Sequence, residues 1–185
     1  PGYRLTPGPG QLDVTMFEQL VSRARSASAP QRALALADDA LALWRDDAYV
    51  EFRELPHFLG EAARLNQLRN SVQERRVECL LAVGRTGEAV AAAEDLILAD
   101  PLSERHRALA MQALYQAGRQ HDALAAFQDY RRLLSTELGL DPSPALREME
   151  RQIIQHATPA QAVPAAAAAA YALEVPHAPQ VVPGS

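Results

Sequence analysis

Lysine is missing altogether from the 185 residues: all 18 basic side chains are arginine. Together with the abundance of alanine, that bias reflects a GC-rich coding composition before it reflects any physical demand. Cysteine is nearly missing too. Cys79 stands alone, which excludes an internal disulfide or a thiolate cluster and fits a reducing compartment. Aromatic residues make up only 5%, a poor supply for a β-sandwich and a better one for closely packed helices. No stretch approaches the roughly 18 to 20 consecutive strongly apolar residues that cross a bilayer, and Pro1-Gly2-Tyr3-Arg4 does not read as a signal peptide. A soluble, cytoplasmic protein with no membrane contact is expected, and a chain starting on Pro1 reads as part of something longer. Positive charge is also in deficit, and a net charge of −5 argues against a domain that holds nucleic acid by its overall field. What is present is enough apolar material, 48%, for a core of ordinary size.

The most informative stretch runs from Leu80 to Tyr130, because a pattern occurs there twice. Leu81-Ala82-Val83-Gly84-Arg85-Thr86-Gly87-Glu88-Ala89 is echoed by Tyr115-Gln116-Ala117-Gly118-Arg119-Gln120-His121-Asp122-Ala123. Gly84 and Gly118 lie 34 residues apart, the period of the tetratricopeptide helix-turn-helix unit. A glycine between two apolar helical patterns can take positive φ, end one helix and let the next fold back. Ala89 and Ala123 follow at equal offsets, small enough for two helices to approach closely. Ala93 with Leu96, and Phe127 with Tyr130, continue the same face at helical spacing. Pro101 stands where such a repeat closes. Two unrelated amphipathic hairpins sharing a glycine would be the plainer explanation; the period and the alanine offset favour a repeat.

Taken in order, the chain begins with a loop-like Pro1–Gly10 segment in which Gly2-Tyr3-Arg4-Leu5 alternates like a short strand. Thr15-Met16-Phe17-Glu18 has the form of a capping box and places the first helix start near Asp13 or Thr15. Val14, Phe17, Val21 and Ala24 form its apolar stripe. Pro30 is suited to the first position of helix two, whose inward residues are Leu34, Ala37, Leu41 and Trp44. Asp13 to Trp44 then reads as a degenerate first repeat. Arg45 to Phe58 breaks the period, with Asp46-Asp47 and Pro56 as turn formers and Trp44, Tyr49, Phe52 and Phe58 crowded together. Such a segment either folds back to plug the gap between hairpins or offers anchors to a partner.

A long helix is expected from Phe58 or Gly60 to Val83, with Leu65, Leu68, Val72, Cys79 and Ala82 on a seam interrupted at Arg75. Its arginines, Arg64, Arg69, Arg75 and Arg76, invite a nucleic-acid reading, but Glu61, Glu74 and Glu78 interleave with them as on a solvated, ion-paired helix face. Helix five should open at Pro101 and bury Leu102, Leu109, Ala113 and Leu114. Helix six should run from about His121 to Leu138 with Ala123, Phe127, Tyr130 and Leu134 inward. Gly139 closes it, Ser143 caps helix seven and Pro144 takes its first position. Helix seven buries Leu146, Met149 and Ile153, ends near His156, and turns Arg147, Glu148, Glu150, Arg151 and Gln152 outward as the end of a solenoid requires. Beyond Ala157 the composition shifts to Ala, Pro, Val and Gln, with Glu174 the lone charge, as in a semi-rigid linker. The expected fold is all-α, a tetratricopeptide-like bundle of about seven helices spanning 11–157, with the end of another domain in 1–10 and a linker or disordered tail in 158–185.

Catalytic chemistry is not written in the pattern. His57, His106, His121, His156 and His177 are scattered, with no metal-ligating pair. Cys79, beside Leu80 and Leu81, reads as a core residue rather than a nucleophile. Asp38-Asp39 and Asp46-Asp47 are adjacent pairs that point apart, and no phosphate-binding glycine motif occurs. No enzyme activity and no cofactor are expected.

The order Gly2-Tyr3-Arg4-Leu5, Leu12-Asp13, Phe17-Glu18, Leu20-Val21, Leu41-Ala42-Leu43-Trp44-Arg45, Glu61-Ala62-Ala63-Arg64-Leu65, Gly84-Arg85, Ala113-Leu114-Tyr115, Ala117-Gly118-Arg119 and Glu137-Leu138-Gly139-Leu140-Asp141-Pro142-Ser143-Pro144-Ala145-Leu146 resembles the bacterial transcriptional activator domain. That domain occurs in regulators of the Streptomyces antibiotic regulatory protein type. The likeness covers residues 2 to 155, and the Leu-Gly-Leu-Asp-Pro-Ser-Pro-Ala-Leu run is its most specific part. The resemblance implies a preceding winged-helix domain that reads promoter DNA, of which Gly2-Tyr3-Arg4-Leu5 would be the final strand. It also implies a helical repeat bundle that supports dimerisation and RNA polymerase contact. One departure is Asp46-Asp47-Ala48-Tyr49 after Trp44-Arg45, where the family carries Gly-x-x-Leu. Because that segment leaves the repeat pattern, Trp44, Tyr49, Phe52 and Arg53 are the candidate partner contacts. A generic tetratricopeptide peptide-binding scaffold, or an accessory domain of a multidomain signalling protein, is the alternative.

Overall fold

The computed structural model describes residues 9–44 and 56–156. The strand expected at Gly2–Leu5, most of the aromatic segment and the tail lie outside the described residues. Those described form seven helices: α1 Pro9–Ser26, α2 Pro30–Ala42, α3 Pro56–Ala82, α4 Thr86–Ala99, α5 Glu104–Gln116, α6 Gln120–Leu138 and α7 Pro144–His156. Each packs chiefly on its neighbours in sequence, α3 also reaches α5, and α7 rests on α5 and α6. Chain neighbours packing in succession are what a helical-repeat solenoid produces.

Three helix starts differ from the sequence reading, each through a proline. The first helix begins at Pro9, upstream of the Thr15–Glu18 box, and α3 begins at Pro56 rather than at Phe58 or Gly60. In both, the fixed φ of proline suits the first helical turn, where its missing N–H costs nothing. Pro101 behaves in the opposite way. Asp100 Oδ1 accepts from Leu102 N–H at 3.2 Å, which holds Pro101 in a turn, and Ser103 Oγ accepts from His106 N–H at 3.3 Å to start α5 at Glu104. A side-chain cap followed by an acidic first turn outcompetes a proline start. Leu102, expected inside, is 40% exposed as a result.

The repeated glycines close their helices by the same hydrogen bonds. Gly84 has φ +78 and Gly118 φ +76. Arg85 N–H donates to the Leu80 carbonyl at 2.9 Å and Gly84 N–H to Leu81 at 3.1 Å; Arg119 donates to Leu114 at 2.9 Å and Gly118 to Tyr115 at 3.0 Å. This paired closure satisfies carbonyls left over at a helix end. The arginine after each glycine bonds the acid three residues on, Arg85 Nε to Glu88 at 2.6 Å and Arg119 Nε to Asp122 at 2.7 Å. Each acid lies in the first turn of the following helix, where negative charge is favoured. The duplicated Gly-Arg-x-x-acid-Ala is therefore one connection made twice. Replacing Gly118 by Ala should lower the unfolding free energy by about 1–2 kcal/mol, the cost of a left-handed L-residue, since an added Cβ meets nothing within 4 Å. Gly87→Ala, at a helical glycine with equally open surroundings, should instead be neutral or stabilise by up to about 1 kcal/mol. Urea unfolding of both variants reads the opposite signs.

Two clusters make the core. Phe17, Val21, Ala37, Ala40, Leu65 and Val72 fill the smaller one between α1, α2 and α3. The larger one takes the remainder of α3 and runs through α4 to α7, with Val77, Leu80, Ala93, Met111, Phe127 and Tyr130 among its members. Helix α3 therefore changes partners along its length. This is why the expected seam is only partly kept: Leu65, Val72 and Cys79 are buried, Leu68 is half-buried, and Ala82 is exposed, while Val77, Leu80 and Leu81 face the second cluster. Alanines 33, 37, 40, 89, 93, 113 and 123 are fully buried, letting backbones approach where larger residues would hold them apart.

The Leu138–Leu146 connection is held by its own hydrogen bonds. Gly139 takes φ +65, and its N–H donates to the Ser135 carbonyl at 3.2 Å. Ser143 N–H donates to Glu104 Oε2 at 3.0 Å, and Ser143 Oγ accepts from Leu146 N–H at 3.2 Å. Leu146 and Ile153 are buried, with Met149 packed beside them. Gln120 Nε2 also donates to the Ile153 carbonyl at 2.6 Å, fastening α7 to the start of α6.

Candidate functional site

Trp44 lies two residues past the end of α2 and is half-buried. It meets Phe17 edge-on, with centroids 5.3 Å apart and planes at 77°. The Arg69 guanidinium stands 5.0 Å from the ring centroid. The indole thus links α1, α2 and α3, and much of its surface is already used inside the chain. Tyr49, Phe52 and Arg53 lie outside the described residues.

A broader surface is formed where the first helices of successive hairpins, α1, α3 and α5, run beside one another with α7. Polar ties cross the α1–α3 and α3–α5 gaps. Arg64 donates to Glu18 and Glu61, each at 2.6 Å. Arg25 donates to Ser71 Oγ at 2.8 Å, while Ser71 donates to the Leu68 carbonyl at 2.7 Å. Arg105 pairs with Glu78, which also accepts from Arg75 at 3.0 Å. Arg76 adds a tie to Asp38 on α2 at 2.6 Å. Arg64, Arg75 and Arg76 of α3 are therefore paired with carboxylates, two of which, Glu18 and Asp38, sit on neighbouring helices rather than one turn away on α3. Neutralised in this way, they leave little free positive field for a phosphate backbone.

His106 was not visible as a structural residue from its spacing with other histidines. It is 3% exposed, and its Nε2–H donates to Glu74 Oε1 at 3.1 Å. The available signal was its place three residues before Leu109 on the inward stripe of α5. Two shallow hollows open on this face. One of about 510 Å³ between α1 and α3 includes Val21, Ser22, Arg25, Arg64 and Leu68. Another of about 390 Å³ between α5 and α7 includes Gln112, Tyr115, Met149 and Gln152. Neither brings a nucleophile to a base.

Among the described residues no group of three His, Cys, Asp or Glu could hold a metal ion, and no helix is long and apolar enough to cross a membrane. Cys79 is 2% exposed, and burial pushes its thiol above the ordinary value, away from the reactive thiolate. Native protein should therefore stay unreactive toward Ellman's reagent until denatured. Rapid labelling of the folded chain would place Cys79 outside the core.

The fold defines an all-helical, tetratricopeptide-like repeat module. Residues 12–154 match the bacterial transcriptional activator domain, and the chain belongs to that family. It is 38% identical over 157 residues to the regulatory protein AfsR of Streptomyces griseus, covering 83% of this chain and 16% of that one. It is 36% identical over 158 residues to the regulatory protein DnrI of Streptomyces peucetius, covering 83% and 58%. The transcriptional regulator RedD of Streptomyces coelicolor is 33% identical over 155 residues, covering 83% and 44%. The structure of Mycobacterium tuberculosis EmbR in complex with a low-affinity phosphopeptide superposes with a TM-score of 0.74 at 27% identity, covering 84% of this chain and 42% of that one. The chain thus spans less than two thirds of each of these proteins, and the relatives bear the names of regulatory proteins and of a transcriptional regulator. The chain is a transcription-regulatory module.

Proposed function

We propose that this chain is the protein-contact module of a cytoplasmic DNA-binding activator, working by self-association and by contact with RNA polymerase. Promoter DNA is read by a winged-helix domain outside residues 11–157, residues 1–10 being its end and the linker from it, and residues 158–185 are an Ala/Pro-rich linker or tail. The observation that carries this reading is the family match across 12–154, and the ion pairing of Arg64, Arg75, Arg76 and Arg105 among the described residues supports it. Trp44, Tyr49, Phe52 and Arg53 are proposed to contribute to partner contact through the segment that leaves the repeat pattern. In a gel shift the chain alone should show no sequence-specific binding. Fused to an unrelated DNA-binding domain, it should raise transcription from a promoter carrying that domain's site. Tight, sequence-specific DNA binding by the chain alone would overturn this division of labour.

A further inference from the structure

On the side away from the neutralised face, helices α4 and α6 stand apart over α5 and leave a groove of about 480 Å³. Its walls include Ile97 and Leu98 of α4 and Ala125 and Ala126 of α6. Leu98 is 80% exposed, above every other large hydrophobic side chain described as exposed. Arg107 of α5 lies in the groove with its guanidinium 5.4 Å from the Tyr130 ring centroid. Its Nε is buried without a hydrogen-bond partner, and among the described residues no carboxylate forms a salt bridge with it: Asp129 on the opposite wall acts on it only at longer range, and Asp122 and Asp129 are paired with Arg119 and Arg132. Burial pulls the Arg107 pKa below its ordinary value, so a carboxylate brought alongside would relieve a cost the fold already bears. The groove also holds Glu94, one turn before Leu98, which forms no ion pair among the described residues.

A half-buried cation without a partner, a carboxylate without a partner and an exposed leucine on one patch make that patch complementary to itself. A two-fold axis through the groove turns a second copy end for end. Such a pairing would set Glu94 of one copy opposite Arg107 of the other and each Leu98 in the facing groove, as an isologous contact requires. A guanidinium already braced against an aromatic ring loses little freedom on pairing. We propose that the α4–α6 groove, centred on Leu98 with Arg107 and Glu94, is the surface through which two copies of this chain associate. The proposal rests on the self-association in the proposed function and gives it a place.

The test is the association constant of the full chain by sedimentation equilibrium, with circular dichroism melting to confirm that each variant is folded. Leu98→Asp and Arg107→Glu should each weaken dimerisation by at least about tenfold. Glu94→Arg, on the exposed side of α4, should do likewise, and the double variant E94R/R107E should recover to within about threefold of the parent because the pair is reversed rather than removed. A dimer unaffected by the single variants overturns this surface while leaving self-association intact. Losses in the single variants without recovery in the reversed pair overturn the Glu94–Arg107 contact. A chain that stays monomeric up to millimolar concentration overturns self-association and this surface with it.

Discussion

Replacing Phe127 by Ala should lower the unfolding free energy by about 3–5 kcal/mol, the range for deleting a buried aromatic ring. Phe127 is 2% exposed and belongs to the larger cluster with Ala123, Tyr130 and Leu134 from its own helix. Relaxation into the cavity is restricted, because fully buried Ala93, Ala113 and Ala123 already represent close backbone packing. Tyr130 is pinned as well, its hydroxyl donating to the Leu102 carbonyl at 2.9 Å. A domain of this size is typically stable by only about 5–15 kcal/mol, so the variant should be near the edge of folding at physiological temperature. Urea denaturation monitored by circular dichroism measures the effect, and a loss below about 1 kcal/mol would mean that the stripe is not core.

Leu146→Ala should cost about 2–5 kcal/mol, and its effect should be concentrated at one end of the solenoid. Leu146 is 2% exposed and enters the cluster immediately after the Ser143 cap, with Glu104 holding the Ser143 N–H from α5. The remaining attachments of α7 are the buried Ile153 with Met149 beside it and two single hydrogen bonds, Gln120 to the Ile153 carbonyl at 2.6 Å and Gln128 to Glu150 at 2.7 Å, each contributing about 1 kcal/mol. Without the Leu146 side chain, α7 should open before the other helices. Hydrogen exchange would show its amides losing protection while those of α3 and α4 keep theirs. Uniform loss across all helices would show instead that α7 and the repeats unfold as one unit.

The residues behind both predictions were legible before any coordinates. Ala123, Phe127, Tyr130 and Leu134 follow helical spacing, and Gly139, Ser143 and Pro144 state the end of one helix and the start of the next. Such features depend on a few consecutive residues, so local chemistry decides them. Proline was less legible. Pro9, Pro56 and Pro101 carry the same restriction on φ, yet two open helices and one sits in a turn, because a competing Asp100 and Ser103 pair exists only at the third. The Thr15–Glu18 box failed as a boundary for a related reason: a capping box marks a helix start only where no helix already runs through it.

The candidate contacts were legible mainly as a departure from pattern. That departure does not say where a side chain goes, and Trp44 turned out to be braced by Phe17 and Arg69 on two other helices. Arg107 was hidden among basic residues on α5 in the same way: its neighbour Arg105 finds Glu78 on α3, while Arg107 turns the other way over Tyr130.

By itself the sequence determined an all-helical repeat, its register and its glycine-closed connections, because helix periodicity and backbone φ are settled within a turn or two of chain. Which charges cancel and which are left over was decided only by the tertiary structure. Arg64 meets Glu18 and Arg76 meets Asp38 across helix gaps, while among the described residues Arg107, stacked on Tyr130, and Glu94 form no salt bridge. Ion pairing between helices depends on their rotation and separation to within an ångström or two, and spacing along the chain carries no record of either.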